Sequence, residues 1–377
     1  MIDYASLASL LNIDISDLKS LIGRKLRLMK YRDLEYLVFT REAHGYNEGT
    51  IILIGKEPMI IYAYPSIRRL AFLEAASKYM PSDFVVEEKM DGYNVRVVVY
   101  NGKLLGITRG GYICPYTTAR LSRLYMDKLR GFEREYPDHV LVGEVVGLEN
   151  PYVPVEYPEA PRFDLFIFDL MNKDKLKPLS LRDEVVEKYS LRRVRILGVL
   201  SKKDGWRLWE IVDELERDGR EGIVIKDPLH RVQPLKYTTV HTNIGDLRSG
   251  MKYPFDEGKS FLFPRILRLI AQGYEMKWDR RRLENIAYEL GMAILEQAIE
   301  NLHKRAYGKL IVAEYKLVFP SEEDLSDYLE YMETMGIDIV TSIEGTSEEG
   351  IIVRVMKLKQ THNEYGKILE TGLSPLD

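Results

Sequence analysis

The sequence predicts an α+β protein built from several units, and three observations carry that expectation. Between about Ala63 and Gly245, short apolar runs are separated by Gly, Pro and Asn punctuation, with helical patterns interspersed. After Gly250 the period becomes that of long amphipathic helices. Near Ile311 strand-like runs return around one further helix. A chain of 377 residues is also too long for one ordinary domain.

Residues 1–62 read as short helices followed by strands, with Gly45 and Asn47-Glu48-Gly49 as turns. Residues 63–245 form the expected α+β core. Its strands cover Val95–Tyr100, Val140–Val146, Phe163–Leu170 and Gly222–Lys226, and its helices cover Tyr116–Phe132 and Arg207–Arg217. Residues 246–309 are expected to be helical over Phe261–Gln272 and Asp279–Tyr307. In the second helix Leu283, Ile286, Leu290, Ile294 and Ala298 share a stripe, Lys304 and Arg305 occupy the last turn, and Gly308 is the stop. Such a stripe suits a core or a self-association face. Residues 310–377 read as a strand (Leu310–Phe319), a helix and two more strands, with Ser321 to Asp324 as a capping-box-like helix start.

Composition narrows the class. The chain is 45% hydrophobic and 30% charged, the balance of a soluble globular protein. A single cysteine, Cys114, excludes a disulfide framework and a multi-thiolate zinc site, and fits a reducing cytoplasm. The first residues, with Asp3, Asp14 and Asp17, lack a signal-peptide pattern, and no apolar run approaches membrane-spanning length. A net charge of −4 is not that of a protein that coats nucleic acid, so any polynucleotide is handled by a pocket or a local patch.

The most informative stretch is Lys89-Met90-Asp91-Gly92. A lysine leaves the apolar run Phe84–Glu88, meets an Asp-Gly turn, and Val95–Tyr100 follows, which reads as a hairpin with lysine at the end of a buried strand. A desolvated lysine among other cations loses its proton more easily, and the neutral amine can attack phosphorus or carbonyl carbon. Taken alone the motif is weak. Behind it, in order, stand Ile107-Thr108-Arg109-Gly110-Gly111, Leu141-Val142-Gly143-Glu144-Val145, Phe163-Asp164-Leu165-Phe166-Ile167-Phe168-Asp169, Glu221-Gly222-Ile223-Val224-Ile225-Lys226 and Pro234-Leu235-Lys236-Tyr237. These are parts of a pocket for a purine nucleotide. Aromatic faces stack on a base, carboxylates accept from ribose hydroxyls or hold magnesium, and Arg and Lys hold phosphate oxygens. Lysines converging on one phosphate are expected to depress each other's pKa, leaving one free to attack.

The order K-x-D-G, R-G-G, G-E, F-x-F-D, E-G-x-x-x-K and L-K-Y, from Glu87 to Tyr237, resembles the covalent nucleotidyltransferase superfamily of DNA ligases, RNA ligases and mRNA capping enzymes. The resemblance implies a core of ATP-grasp-like antiparallel sheets and assigns roles by position. Lys89 becomes the nucleotidyl-lysine. Glu87 reads the adenine edge, with Glu88 beside it in the ATP site. Asn94, Arg109 and Glu144 contact the ribose, and Phe168 stacks on the base. Glu221 binds metal, Lys226 and Lys236 bind phosphate, and the cofactors are ATP and Mg2+ or Mn2+. Strict alternation sets Glu221 and Lys226 on opposite faces, so Glu221 is expected in the turn before the strand, which Gly219 and Gly222 permit. Lys236 stands in L-K-Y where many ligases have K-x-K, so one expected lysine is absent.

Other residues read more plainly. Phe163 and Phe166 are core, Arg96 is a phosphate contact or a surface charge, and Cys114 is a bystander. His139, His230 and His241 are too dispersed for zinc. Glu349 to Lys359 repeats the last two motifs with arginine in place of the strand lysine, and reads as a solvated edge strand.

DNA ligases and capping enzymes append an OB-fold to this core, but the segment after His241 is helical, so no OB-fold is expected. The tail resembles that of archaeal-type homodimeric RNA ligases. This implies an N-terminal module (1–62), a nucleotidyltransferase domain (63–245), a helical dimerisation domain (246–309) and a small α/β domain (310–377). It also implies a homodimer through 246–309 that joins RNA 5′-phosphate and 3′-hydroxyl ends, circularising single strands through lysyl-AMP and adenylated RNA. Two rivals stay open: a ligase or adenylase acting on DNA ends, and a non-catalytic RNA-binding protein with a degenerate nucleotide pocket. No membrane partner is expected.

Overall fold

The apolar runs pair into four sheets. The structure, a computed structural model, describes residues 3–55 and 57–375; the outer ends of the expected terminal units and Lys56 lie outside the described residues. The N-terminal unit opens with α1 (Tyr4–Leu11) and α2 (Ile15–Leu21), the first capped by Asp3, which accepts from the backbone of Ala5 and Ser6. A four-stranded sheet follows in the order β1 (Leu26–Tyr31), β2 (Leu34–Phe39), β3 (Ile51–Ile54) and β4 (Met59–Ile61). Alternation divides its side chains. Leu37, Phe39 and Ile52 meet Leu7, Leu11 and Leu18 of the helices, while Tyr36, Val38, Ile51 and Leu53 turn to the central α+β unit.

The core contains β5 (Arg68–Arg69), α3 (Ala76–Tyr79), β6 (Phe84–Lys89), β7 (Tyr93–Tyr100), β8 (Lys103–Thr108), α4 (Pro115–Tyr125), α5 (Phe132–Glu135), β9 (His139–Val146), β10 (Asp164–Asn172), β11 (Lys175–Leu176), α6 (Leu179–Lys188), β12 (Arg192–Arg193), β13 (Ile196–Leu200), α7 (Arg207–Arg217), β14 (Gly222–Lys226) and β15 (Leu235–Thr238). One sheet runs β11-β10-β9-β7-β8 with β12 beside β10, and the other runs β13-β6-β14-β15-β5. The helix expected over Tyr116–Phe132 is divided between α4 and α5, where Gly131 takes a left-handed φ of 88°.

The expected hairpin at Asp91-Gly92 does not form. Both edges of β6 are taken by β13 and β14, and both edges of β7 by β8 and β9. Met90 to Gly92 therefore carries the chain from one sheet to the other. Met90 is buried between them with Val146, Phe166 and Val194. A Cβ on Gly92 would lie 2.2 Å from the Val145 carbonyl oxygen, so only glycine lets the sheets approach this closely. Lys89 thus stands where the chain crosses from one sheet to the other, on the wall of the cleft between them.

Helices α8 (Val240–Lys252), α9 (Lys259–Glu275) and α10 (Arg280–Ala306) follow, α8 running through the boundary expected at 245. They pack on one another through Val240, Ile244, Leu247, Leu269, Ile286 and Ala293. The chain ends in β16 (Val312–Phe319), α11 (Glu322–Thr334), β17 (Ile339–Ser347), β18 (Gly350–Leu358) and α12 (Gln360–Thr371). Ser321 caps α11 by accepting from Asp324 N at 3.1 Å. The segment read as a solvated edge strand is β18, the middle strand of the order β16-β18-β17, with Val353 and Val355 fully buried. Its charges alternate with core residues, and a one-strand pattern does not reveal how many neighbours the strand has.

The units are not beads on a string. Leu317, Phe319, Tyr328 and Val353 share one core with Val97, Tyr116, Leu121 and Leu165. Glu349 holds Arg120 at 3.1 Å and Arg162 at 2.8 Å across that junction. Arg32 of the N-terminal unit reaches Asp324 at 2.9 Å and Asp327 at 2.7 Å. Arg96, read as a phosphate contact or surface charge, is neither. It is fully buried and donates to the carbonyls of Tyr62 (2.7 Å), Gly49 (2.8 Å) and Thr108 (2.9 Å), tying the N-terminal unit to the core. Burial and the nearby Arg109 push its pKa down to about 9. Among the described residues no helix is long and apolar enough to cross a membrane.

Candidate active site

A cavity of about 450 Å³ opens between the two catalytic sheets. Lys89, Glu87, Asn94, Arg109, Glu144, Phe168, Lys226 and Lys236 all line it, so the separated motifs converge. Register explains how. On β6 and β14, Val86 and Ile223 face the helices, while Glu87, Lys89, Val224 and Lys226 face the cavity. Glu144 lies directly opposite Asn94 across β9 and β7. Phe168 is the extra residue of a bulge on β10, between the paired residues Ile167 and Asp169. The remaining aromatic residues of that stretch, Phe163 and Phe166, are buried as expected.

Glu221 sits in the turn before β14, as expected from alternation. Gly222 (φ +152°) makes the bend possible, and a Cβ there would lie 2.2 Å from the Tyr237 carbonyl oxygen. The turn delivers both carboxylate oxygens to within 2.6 Å of Lys89 Nζ. This corrects the expected electrostatics. Burial lowers the pKa of Lys89, but Glu221 and Glu144 outweigh it, and the net shift is upward. Burial, opposed by Lys89, raises Glu221. Burial also pushes Glu144 up to about 8 and Asp91 up to about 7, with Glu221 adding repulsion at both. The lysine with a depressed pKa is Lys236, brought down to about 8 by burial and then by Arg69, Lys89 and Arg109.

Of the lysines expected at phosphate, Lys236 has a side chain with no hydrogen-bond or ion-pair partner among the described residues. Lys226 is different: its ammonium is 1% exposed and engaged by Glu87 (2.8 Å), Asp169 (2.9 Å) and the Phe168 carbonyl (2.6 Å). Glu87 is 1% exposed, with its other oxygen 2.5 Å from Arg182. Arg182 also donates to the Phe168 carbonyl at 2.7 Å, so the bulge is fixed from two sides. Tyr64 packs edge-on against the Phe168 ring and donates to Asp169 at 2.6 Å. Glu88 departs from the expectation. It lies along the cavity wall, but alternation turns its carboxylate to the opposite face, where Arg195 (3.1 Å) and Arg220 (3.3 Å) hold it. Asn94 Oδ1 is buried with no hydrogen-bond partner, an acceptor left for a ligand.

Arg182, Tyr64 and Asp169 were not assigned to the site from sequence. Arg182 has a signal in retrospect: it interrupts the buried stripe of Leu179, Val185 and Val186 on α6. Tyr64 has none, since its contact spans 105 positions.

Residues 82–238 match the family model described as RNA ligase, and residues 249–372 match the one described as the C-terminal region of ligase Pab1020. A solved archaeal ATP-dependent RNA ligase superposes with a TM-score of 0.90 at 29% identity, covering 99% of this chain and 100% of that one. The chain belongs to the archaeal ATP-dependent RNA ligase family. The ligase is also 34% identical to an uncharacterised protein of Methanocaldococcus jannaschii over 378 residues, which is 97% of this chain and 95% of the relative. A putative ATP-dependent DNA ligase from Aquifex aeolicus is similar as well, with a TM-score of 0.86 at 29% identity, covering 96% of this chain and all of that one. The family model for the tail runs through the helices and the last sheet together, in keeping with an enzyme that carries helices where an OB-fold would stand.

Proposed function

We propose that this ligase joins RNA 5′-phosphate and 3′-hydroxyl ends, circularising single strands, through a covalent lysyl-AMP on Lys89. The observation that carries the reading is the Lys89 amine itself, on the cavity wall and 2.6 Å from a carboxylate that can take its proton. Asn94, Glu144 and Arg109 hold the ribose, Phe168 stacks on the base, and Glu87, fixed by Arg182 and Lys226, reads the adenine edge. Lys89 passes a proton to the Glu221 carboxylate 2.6 Å away and attacks the α-phosphorus of ATP as pyrophosphate departs. The 5′-phosphate of RNA takes up the AMP, and the RNA 3′-hydroxyl then attacks that activated phosphate and releases AMP. Lys236 offsets the charge that develops on phosphate oxygens.

Mg2+ or Mn2+ fits the carboxyl groups crowded at Lys89, whose raised pKa values record mutual repulsion as well as burial. Among the described residues no three His, Cys, Asp or Glu side chains form a closed metal cage. That suits an ion bound by Glu221 and substrate phosphates, with water completing its shell. Such an ion would supply charge neutralisation at phosphate.

Incubation with 5′-phosphorylated single-stranded RNA, ATP and magnesium is expected to give adenylated and circular RNA. Sealing of nicked DNA with no product from RNA would replace this reading with a DNA-end enzyme. No lysyl-AMP under any metal would favour an RNA-binding protein instead. A cytoplasmic setting accords with the single free, buried cysteine.

We also propose that a second copy covers the helical unit. Phe263, Leu267, Ile270 and Tyr274 repeat at helical spacing along α9 and are 60%, 49%, 62% and 79% exposed, an apolar stripe largely uncovered among the described residues, with Phe72 against the Tyr274 ring at one end. Ile270→Glu is expected to convert a dimer to a monomer by light scattering. A wild-type monomer at micromolar concentration would refute the proposal.

A further inference from the structure

The helical unit packs beside the cleft through the other side of α9, against the strand that brings Lys236 to the cavity wall. Crossing the second sheet from Lys89, Gly222 is the register partner of Lys89 on one side and of Thr238 on the other. One row below, Lys236 pairs with Arg69. At about 4.8 Å per strand, these residues line a shelf that leads away from Lys89 over roughly 10 Å. Arg69 donates to Thr238 Oγ1 at 3.0 Å, Thr238 donates to Asn243 Oδ1 at 3.2 Å, and Arg268 of α9 approaches the same Asn243 oxygen at 3.4 Å. Gln272, one turn further along α9, accepts from Asn243 at 3.0 Å and donates to the Thr238 carbonyl at 2.8 Å, so helix and sheet are held in fixed relation.

The shelf is short of negative charge. Among the described residues, Arg69, Arg109, Lys236 and Arg268 have no carboxylate within ion-pairing distance, and Arg268 Nε is buried without a hydrogen-bond partner. The nearby carboxylates are already taken: Glu221 by Lys89 and Asp246 by Arg265 at 2.7 Å. Burial and then Arg268 push Arg69 down to about 10, and burial and then Arg265 lower Arg268. Half-buried cations without counter-ions are costly in the free protein, and a polyanion laid along them removes that cost.

We propose that Arg69 and Arg268, with Lys236, form the seat of the β- and γ-phosphates of ATP, so that the helical unit takes part in the first chemical step. The inference rests on the lysyl-AMP reading above. In that step the Lys89 nitrogen forms a bond to the α-phosphorus, and the bond from that phosphorus to the bridging oxygen of the β-phosphate breaks. The bonding pair leaves with pyrophosphate, and the proton given up by Lys89 goes to Glu221. Arg69 and Arg268 receive the charge of the departing group at the far end of the shelf.

The step can be run backwards, which isolates the seat. Full-length AMP-loaded enzyme is treated with pyrophosphate and the release of ATP is measured. In parallel, joining of pre-adenylated RNA, which needs no pyrophosphate, is measured on the unloaded enzyme. Arg268→Gln and Arg69→Gln are expected to weaken the pyrophosphate dependence by about tenfold or more, the value of a lost charged hydrogen bond. Joining of pre-adenylated RNA should stay within about twofold, and Arg268→Lys should recover part of the loss. Unchanged pyrophosphate dependence overturns the proposal. So does an equal loss in both assays, which would assign the arginines to the RNA 5′-phosphate or to the fold. A wild-type enzyme that forms no lysyl-AMP overturns the preceding reading as well, whereas a wild type that forms it alongside unaffected variants overturns only the seat.

Discussion

Lys89→Ala is expected to abolish the transfer of label from α-labelled ATP to the protein, a loss of about a thousandfold or more, because alanine lacks the nitrogen that bonds to phosphorus. Lys89→Arg is equally inactive, since a guanidinium keeps the charge but stays protonated. Circular dichroism should report folded protein in both cases. The pH dependence follows from the sign of the shift. The attacking form is the neutral amine, and Glu221 and Glu144 hold the proton on Lys89 against the opposing effect of burial. Adenylation therefore accelerates as pH rises. Glu221→Gln removes the nearest carboxylate, at 2.6 Å, and moves the alkaline limb to lower pH even as it slows the reaction. A limb that moved upward would contradict this assignment of the proton acceptor.

Asp169→Asn destabilises the protein by about 3–5 kcal/mol at neutral pH, the range for breaking a buried charge network by removing one partner. Asp169 is fully buried and pairs with Lys226 at 2.9 Å and His230 at 3.2 Å, and accepts from Tyr64 at 2.6 Å. Without it, Lys226 keeps Glu87 alone as a paired carboxylate among the described residues, and Arg182 already engages Glu87. Burial alone would raise the pKa of Asp169, but Lys226, His230 and Tyr64 hold it well below the usual carboxylate range. A depressed folded value contributes stability that is present above the ordinary value of about 3.9 and lost as pH falls through the folded one. Urea titration should therefore show the full difference between wild type and variant above about pH 5, narrowing below about pH 4. A difference that grew with acidity would contradict the network. Adenylation should fall as well, because Lys226 and Arg182 both brace the Phe168 carbonyl.

What could be read from the sequence was what repeats locally. Val140–Val146 and Gly222–Lys226 are strands because apolar residues run between turn residues, and Arg207–Arg217 is a helix over the expected span. The position of Glu221 followed from a parity argument: an even–odd mismatch with Lys226 is resolved only outside the strand. Partner choice could not be read this way. The Asp91-Gly92 stretch has hairpin chemistry, but β6 and β7 each find two better neighbours far along the chain, so the turn becomes a link between sheets. The middle strand β18 was mistaken for an edge for the same reason.

Charge states were the least legible. Three lysines in motif positions suggested mutual depression, yet each has different company: Lys89 a paired carboxylate, Lys226 a closed buried network, and Lys236 mainly other cations, with Glu221 the more distant opposing charge. Arg96 shows the same gap. An arginine on a return strand carries no local mark of the backbone carbonyls of Gly49 and Tyr62 that it will meet.

Acidity and geometry therefore nominate different nucleophiles. Lys236 is the more easily deprotonated lysine, at about 8, while Lys89 sits beside its own proton acceptor on the cleft wall. Proteolysis of the protein after incubation with ATP and magnesium, followed by mass mapping of the AMP-bearing peptide, decides between them. The adduct is expected on Lys89, and an adduct on Lys236 would contradict the account at its centre.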